Sequence, residues 1–380
     1  MNILWFGSVP RADIVANHHA VNEASRKWQT GLLDALMEEG ASVTTVAHRY
    51  EQCWPKGLLF PGKNEEFPQR YNNRLVRFFN APVVRFASLK FGYYRQGVAA
   101  MESGEYDVLI IYNPYPWHVW AAKRLSSRYH IPWVCLTLDH DDVGGDGWDI
   151  YKKETQGASG HVFVSHWGAE NSPFPSTTLH LDAGCRVEDI QSGLLCEKPE
   201  VIHYLYAGAL SASAGFDFLV EAVKFLPERG VQIDVCGKFT EEIRRKVQGD
   251  SRFKLHGFVT EQMLERITSE AHVLLNPRPP DLELNRMVFP SKLMEYMKHT
   301  KPIVTTWTAG LHPGYRKYVF AEGTNTPEGF AQQMEIAGRL SHDERQLLSQ
   351  EIRKYLIDCK QWSLQADTFI NFVKRVTQVS

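Results

Sequence analysis

The sequence predicts an α/β protein made of two doubly wound, parallel-sheet halves in series. Three observations carry this. Short, near-continuous apolar runs such as Tyr106–Tyr112 (YDVLIIY) are what strands buried on both faces look like. Those runs alternate with stretches of helical spacing from the first residues onward. The alternation then restarts near Glu200 after a connecting stretch around Cys185–Pro199.

The elements follow in order. Asn2–Ser8 (NILWFGS) is a strand running into a tight turn at Gly7. Glu23–Glu39 is a helix with Trp28, Leu32, Leu36 and Met37 on one stripe, stopped by Gly40. Ser42–Ala47 completes a β–α–β opening, which implies a parallel pair. Tyr106–Tyr112, Ile131–Leu138 and His161–Ser165 are strands, with a helix over Trp117–Tyr129. In the second half, strands are expected at Val201–Ala207, Val231–Cys236, Phe253–His256, His272–Asn276 and Pro302–Thr306. Helices are expected at Phe216–Leu226, Glu261–Ala271 and Ser291–Lys298, and three more close the chain at Pro327–Leu340, Asp343–Leu356 and Leu364–Val376.

Composition narrows the function. The 380 residues are 43% apolar and 23% charged, the profile of a folded globular chain. A net charge of -2 excludes a globally basic nucleic-acid binder. The six cysteines form no Cys-x-x-Cys pair and read as free thiols in a reducing compartment. No apolar run reaches the ~18 residues of a membrane span, and the opening MNILWFGSVPRAD reads as no secretory signal. In open α/β sheets ligands bind beyond the carboxyl ends of the strands, so two such halves facing across a cleft suit an enzyme that brings two substrates together.

The most informative stretch is Leu275–Thr305 (LNPRPPDLELNRMVFPSKLMEYMKHTKPIVT). Ser291 is placed as an N-cap, and Lys292 puts a positive charge in the first turn, where a lysine is disfavoured unless an anion sits opposite. Glu295, three positions on, is suited to accept hydrogen bonds from a ribose diol. Diphosphate beside ribose is a nucleotide; the plain alternative is a capped helix with a Lys292–Glu295 surface pair.

Phe289-Pro290-Ser291-Lys292, Glu295-Tyr296-Met297 and Lys301-Pro302-Ile303-Val304 resemble, in order and spacing, the donor-site signature of retaining nucleotide-sugar-dependent glycosyltransferases of the GT-B fold, the large family often numbered four. Tyr206-Ala207-Gly208 with Gly215, Cys236-Gly237, His256-Gly257-Phe258-Val259 and Trp362-Ser363 extend the likeness, which is strong over 200–380 and weak over 1–199. The resemblance implies two Rossmann-like domains: an acceptor-binding domain over 1–190, a nucleotide-sugar domain over 200–360, and a helix over 361–380 packing back on the first. It implies that Glu295 holds the ribose, that Ser291, Lys292, Gly208 and Ala209 line the diphosphate and that Gly237 lies on a nucleotide-side loop; with the loop's own Arg and Lys missing, the diphosphate charge falls to Lys292, helped by Arg278 or Lys238. Two departures stand out. Met287 occupies the place of the motif's first glutamate, with Asp281 and Glu283 the nearest acids, and Ala209 and Ala214 stand near the places of the loop's Arg and Lys.

On the acceptor side the candidates are Gly7, His18 and His140, with His118 and Asp141 as candidate catalytic residues. Asp139-His140-Asp141-Asp142 contains an Asp-x-Asp of the kind that holds a divalent cation in metal-dependent transferases of another fold; no metal and no cofactor is expected here. Arg70–Ala100 holds six basic residues, no acidic ones and seven aromatics, the composition of a segment on an anionic membrane surface. The alternatives for it are an amphipathic helix pair on the sheet, or single-stranded nucleic acid, the least favoured. The expectation is therefore a cytoplasmic, peripheral transferase moving a sugar onto a lipid-linked or polysaccharide acceptor. Its rivals are a nucleotide-sugar 2-epimerase of the same fold and a non-catalytic nucleotide-sugar-binding protein.

Overall fold

The computed structural model describes residues 1–16, 23–138, 147–191, 200–280 and 282–378. The chain divides into two compact units, Met1–Gly184 with Trp362–Ser380, and Cys185–Gln361.

The first unit is a seven-stranded sheet of β1 (Asn2–Phe6), β2 (Ser42–Ala47), β3 (Arg74–Leu75), β4 (Val108–Tyr112), β5 (Trp133–Thr137), β6 (Gly160–Phe163) and β7 (Thr178–His180). Their order is β3-β2-β1-β4-β5-β6-β7, and every pairing is parallel. Ile3 stands in register with Val43 on one side and Val108 on the other, so the order reverses between β1 and β4. Every residue of β4 and β5 is buried, which is why those runs carry no polar alternation. Helix Glu23–Glu38 turns Trp28, Leu32, Leu33 and Leu36 inward. Helix Trp362–Thr377 packs beside it. The Trp362 indole meets Trp28 edge-on at 5.9 Å, and it fills the space where a Cβ on Gly31 or Gly184 would fall.

The second unit is a five-stranded parallel sheet of β8 (Ile202–Ala207), β9 (Val231–Cys236), β10 (Phe253–Gly257), β11 (Val273–Asn276) and β12 (Ile303–Thr305). The order is β10-β9-β8-β11-β12, reversing between β8 and β11. Its core gathers Tyr204, Tyr206, Phe216, Leu219, Ile233, Phe330 and Met334. Lys301 of the signature is buried, and its ammonium donates to the carbonyls of Thr268, Ser269 and Ala271 at 2.8, 2.6 and 2.6 Å. It thereby satisfies the open carbonyls at the end of helix Glu261–Glu270.

Several elements differ from expectation. Sequence reading placed nothing at β3 or β7, nor at helices Gly147–Thr155 and Glu241–Lys246. Within Arg70–Ala100 the structure shows not a helix pair but one long helix, Val84–Met101, with the edge strand β3 before it. Ser291 is not an N-cap. Pro290 holds that position, and Ser291 is the first residue of helix Ser291–Met297.

Candidate functional site

The carboxyl ends of β8, β9 and β10 carry three glycine turns, at Gly208, Gly237 and Gly257. Gly208 has φ +141 and Gly257 has φ +84, both outside the range L side chains favour. The turns are laced together. The Gly208 amide donates to the Cys236 carbonyl at 2.8 Å and the Gly237 amide to the Gly257 carbonyl at 2.9 Å. Those amides are therefore already used, which corrects the expectation that Gly208 offers its N–H to phosphate. The amide of Ala209 has no acceptor among the described residues, while its carbonyl accepts from the Tyr206 hydroxyl at 2.5 Å.

What Gly208 supplies is room. A Cβ there would fall on Cε and Nζ of Lys292. The half-buried lysine crosses the glycine and sets its ammonium 4.1 Å from the centroid of the Tyr206 ring. Lys292 makes no ion pair among the described residues. Burial, with the like charge of Arg278 nearby, lowers its pKa from 10.5 to about 7. A strained glycine, an aromatic floor and a lysine with no ion pair among the described residues, its pKa lowered further by a like charge nearby, mark a candidate anion site.

Arg278 reaches this position from the loop after β11. Its guanidinium donates to Asn285 Oδ1 at 3.3 Å, and the Asn285 amide donates to the Pro279 carbonyl at 2.6 Å. Asn285 is buried and was missed by sequence reading, because an asparagine inside a Pro-rich loop looks like ordinary turn chemistry. Gly215, with φ +92, lies so close under the same loop that a Cβ would overlap the Pro277 carbonyl.

Glu295 does not pair with Lys292. Its carboxylate meets Lys298 Nζ at 2.7 Å and is 43% exposed. Lys238 is exposed, 5.6 Å from the Phe258 ring. Met287, in the place of the expected glutamate, is buried. Glu283 pairs with Arg286 at 3.6 Å, and Asp281 lies outside the described residues.

In the first unit the structure places His118 in the core, fully buried among Tyr93, Tyr115, Trp117 and Phe6. Its Nδ1 donates towards the Tyr112 and Asn113 carbonyls at 3.0 and 3.3 Å, and Nε2 has no partner among the described residues. Burial lowers its pKa to about 4, so the ring is neutral. His118, read from the sequence as a candidate catalytic residue, is a buried neutral ring in the core of the first unit. His48, unnoticed in the sequence, is buried in the same cluster with Nδ1 2.7 Å from the Tyr93 hydroxyl. Gly7 is buried too, and a Cβ there would strike Gln29 and Trp5. His18, His140 and Asp141 lie outside the described residues. Among the described residues no three His, Cys, Asp or Glu side chains are grouped to hold a metal ion.

The depressed Lys292 pKa gives a sign that can be measured. The folded chain loses this proton near pH 7, the unfolded chain only near 10.5. Between those values the unfolded state binds more protons, so unliganded stability rises with pH through that window. Anion binding behaves oppositely, strongest below about 7 and weaker above, with a proton taken up on binding. Calorimetry with a nucleoside diphosphate as the titrated anion above pH 7, in buffers of different ionisation enthalpy, reads that proton directly. Equal heats in the two buffers would show Lys292 already charged.

Residues 202–337, inside the second unit, match the family model described as Glycosyl transferases group 1. No curated protein matches the chain by sequence. Among solved structures, a glycosyltransferase from Rickettsia africae is similar at 12% identity and a TM-score of 0.74, over 100% of this chain and 99% of that one. The Anabaena protein HepE, in complex with UDP and glucose, is similar at 12% identity and a TM-score of 0.68, over 99% of this chain and 100% of its own. The trehalose-6-phosphate synthase OtsA is similar at 12% identity and a TM-score of 0.67, over 99% of each chain. These likenesses show the fold. The two parallel α/β units are of the kind found in GT-B glycosyltransferases.

Proposed function

We propose that the chain is a retaining glycosyltransferase that takes a sugar from a nucleotide-sugar donor. The observation that carries the reading is Lys292 laid across Gly208 and over the Tyr206 ring, a lysine with no ion pair among the described residues and with the like charge of Arg278 nearby. The leaving diphosphate supplies the missing charge. Lys292 and Arg278 stabilise it as the bond to the sugar breaks, the Ala209 amide and the Ser291 hydroxyl contribute hydrogen bonds, and Glu295 turns from Lys298 to the ribose hydroxyls. Support comes from the family match over this unit and from a structural relative whose complex holds UDP and glucose.

On this reading the diphosphate itself takes the acceptor proton, so no protein nucleophile and no metal is needed. The acceptor is a lipid-linked or polysaccharide chain in surface-glycan synthesis, met by the first unit with His18, His140 and Asp141 among its contacts. Such an acceptor would bring the enzyme to the cytoplasmic face of a membrane. The buried Met287 favours a second reading, a protein that binds nucleotide-sugar without turnover.

Binding and turnover separate the two. UDP and other nucleoside diphosphates should raise the melting temperature, and product should form in excess chelator with the anomeric configuration of the donor kept. Glu295→Gln should weaken nucleoside diphosphate binding by about 1.5–3 kcal/mol, the range for hydrogen bonds to a charged group, with the fold intact. Unchanged affinity would remove Glu295 from the site. Binding without product on any acceptor would favour the second reading.

A further inference from the structure

The first unit carries a surface that donor binding does not use. Large apolar side chains stand in solvent along one part of the chain, from Trp54 to Phe91. They are held there by built structure. Buried Asn80 donates its side-chain amide to the carbonyls of Gln52 and Leu58 at 2.7 and 2.8 Å. The Asn80 backbone amide donates to the Leu59 carbonyl at 2.8 Å, and the Trp54 amide returns a bond to the Asn80 carbonyl at 2.9 Å. Trp54, Leu58 and Phe60 are thereby pinned beside Phe79, whose ring meets Phe60 at 5.2 Å. The Phe79 amide in turn donates to Ser88 on helix Val84–Met101 at 2.8 Å.

At the start of that helix stands Val83. Its φ of +69 is a conformation β-branched residues avoid, and it is 93% exposed. The fold thus holds a strained valine in water where a glycine or asparagine would be easier, a cost that points to use. Phe86 and Phe91 continue the surface, stacked on Trp117 at 5.8 Å and set against Trp120 at 5.3 Å. The core does not need them. The inward face of the helix is Leu89, Gly92, Tyr93, Gly97 and Ala100.

Beside the Trp54–Phe60 loop the acid is Glu51, paired with Arg49 at 3.5 Å, and along Val83–Phe91 the charge has one sign. No acid lies between Glu66 and Glu102. Arg77 and Arg95 are exposed, Lys90 is half-exposed, and exposed Arg124 lies 3.8 Å over the Trp120 ring. Arg70 and Arg74 do not belong to this surface. Arg70 is paired with Asp34 at 3.0 Å, and Arg74 donates to Ser103 at 2.5 Å. Tyr71, Phe78 and Tyr93 are core residues. The basic-aromatic composition read over Arg70–Ala100 therefore mixes core with surface, and it omits Trp54, Leu58 and Phe60.

We propose that Trp54–Phe60 and Val83–Phe91 form a wedge that enters an anionic lipid surface, with Arg77, Lys90, Arg95 and Arg124 at the headgroups. Projecting apolar tips ringed by cations match the two layers of a charged bilayer surface. A second copy of this chain would instead bring like charges together. The inference stands on the first unit alone, so it can survive failure of the donor-site reading.

The test is co-sedimentation with phosphatidylcholine vesicles, with and without phosphatidylglycerol, at low and high salt. Wild type should bind the anionic vesicles at low salt and keep a salt-resistant remainder. Arg77→Gln, Lys90→Gln and Arg95→Gln together should weaken binding on the order of a hundredfold. Leu58→Ser, Val83→Ser and Phe86→Ser together should remove the salt-resistant part. Both variants should melt like wild type and keep the wild-type response to UDP, which reads the second unit separately. Wild type that ignores anionic vesicles at low salt would overturn the proposal. So would a serine variant that still binds vesicles but changes oligomeric state, which would assign the face to a protein partner.

Discussion

Replacing Lys292 by methionine should lower kcat by about 10²–10³, the cost of removing one group that stabilises charge on a leaving oxygen. The same change should leave the unliganded protein at least as stable near pH 7. Methionine keeps most of the unbranched stem that crosses Gly208 and removes a charge that burial and Arg278 already disfavour. Activity and stability therefore move in different directions, the mark of a group held in a strained electrostatic state for use. Arginine should not restore the rate, since a guanidinium is broader than the ammonium that fits between Gly208 and the Tyr206 ring. Single-turnover assays with melting curves on the same preparations decide it. Equal losses in rate and stability would reduce Lys292 to a packing residue. A variant of full activity would remove the anion site altogether.

The architecture was legible because burial on both faces writes itself as continuous apolar runs. VLIIY at β4 and VLLN at β11 leave no other reading. The second sheet's five strands were all found, since each ends at a turn residue or helix signal that the chemistry of its loop demands. β3, two residues long, has no periodicity to detect. Helix Val84–Met101 hides because glycines at 92 and 97 interrupt its inward stripe, where they let the helix close on Val76 and Leu125.

The candidate site was legible residue by residue but not as an arrangement. Lys292 and Gly208 were each marked, yet nothing in the sequence says that the lysine lies across the glycine. Nor does it say that the Gly208 amide is spent on Cys236. Glu295 could be paired on paper with Lys292 or Lys298, since both lie three residues away; the helix gives it to Lys298. His118 was marked for its place after β4, while its burial depends on Tyr93 and Phe6 from distant parts of the chain.

Two alanines should separate room for a ligand from room for the fold. At Gly215 the added Cβ would overlap the Pro277 carbonyl, a backbone atom that cannot turn aside, and φ of +92 is itself unfavourable for alanine. The loop bearing Arg278 must then move, so Gly215→Ala should destabilise the second unit by about 3–5 kcal/mol, the range of severe single changes with a named steric cause. At Gly208 the Cβ meets only the mobile end of Lys292. Backbone strain there should cost about 1–3 kcal/mol, and the displaced ammonium should lose its seat over Tyr206. Gly208→Ala should therefore remain folded while losing nucleoside diphosphate affinity by about tenfold or more, the scale of one hydrogen bond to a charged group. Differential scanning calorimetry and nucleotide titration on both variants test the contrast. If Gly208→Ala binds UDP like wild type, Lys292 does not need the space that glycine leaves, and the crossing that defines the site has no part in binding.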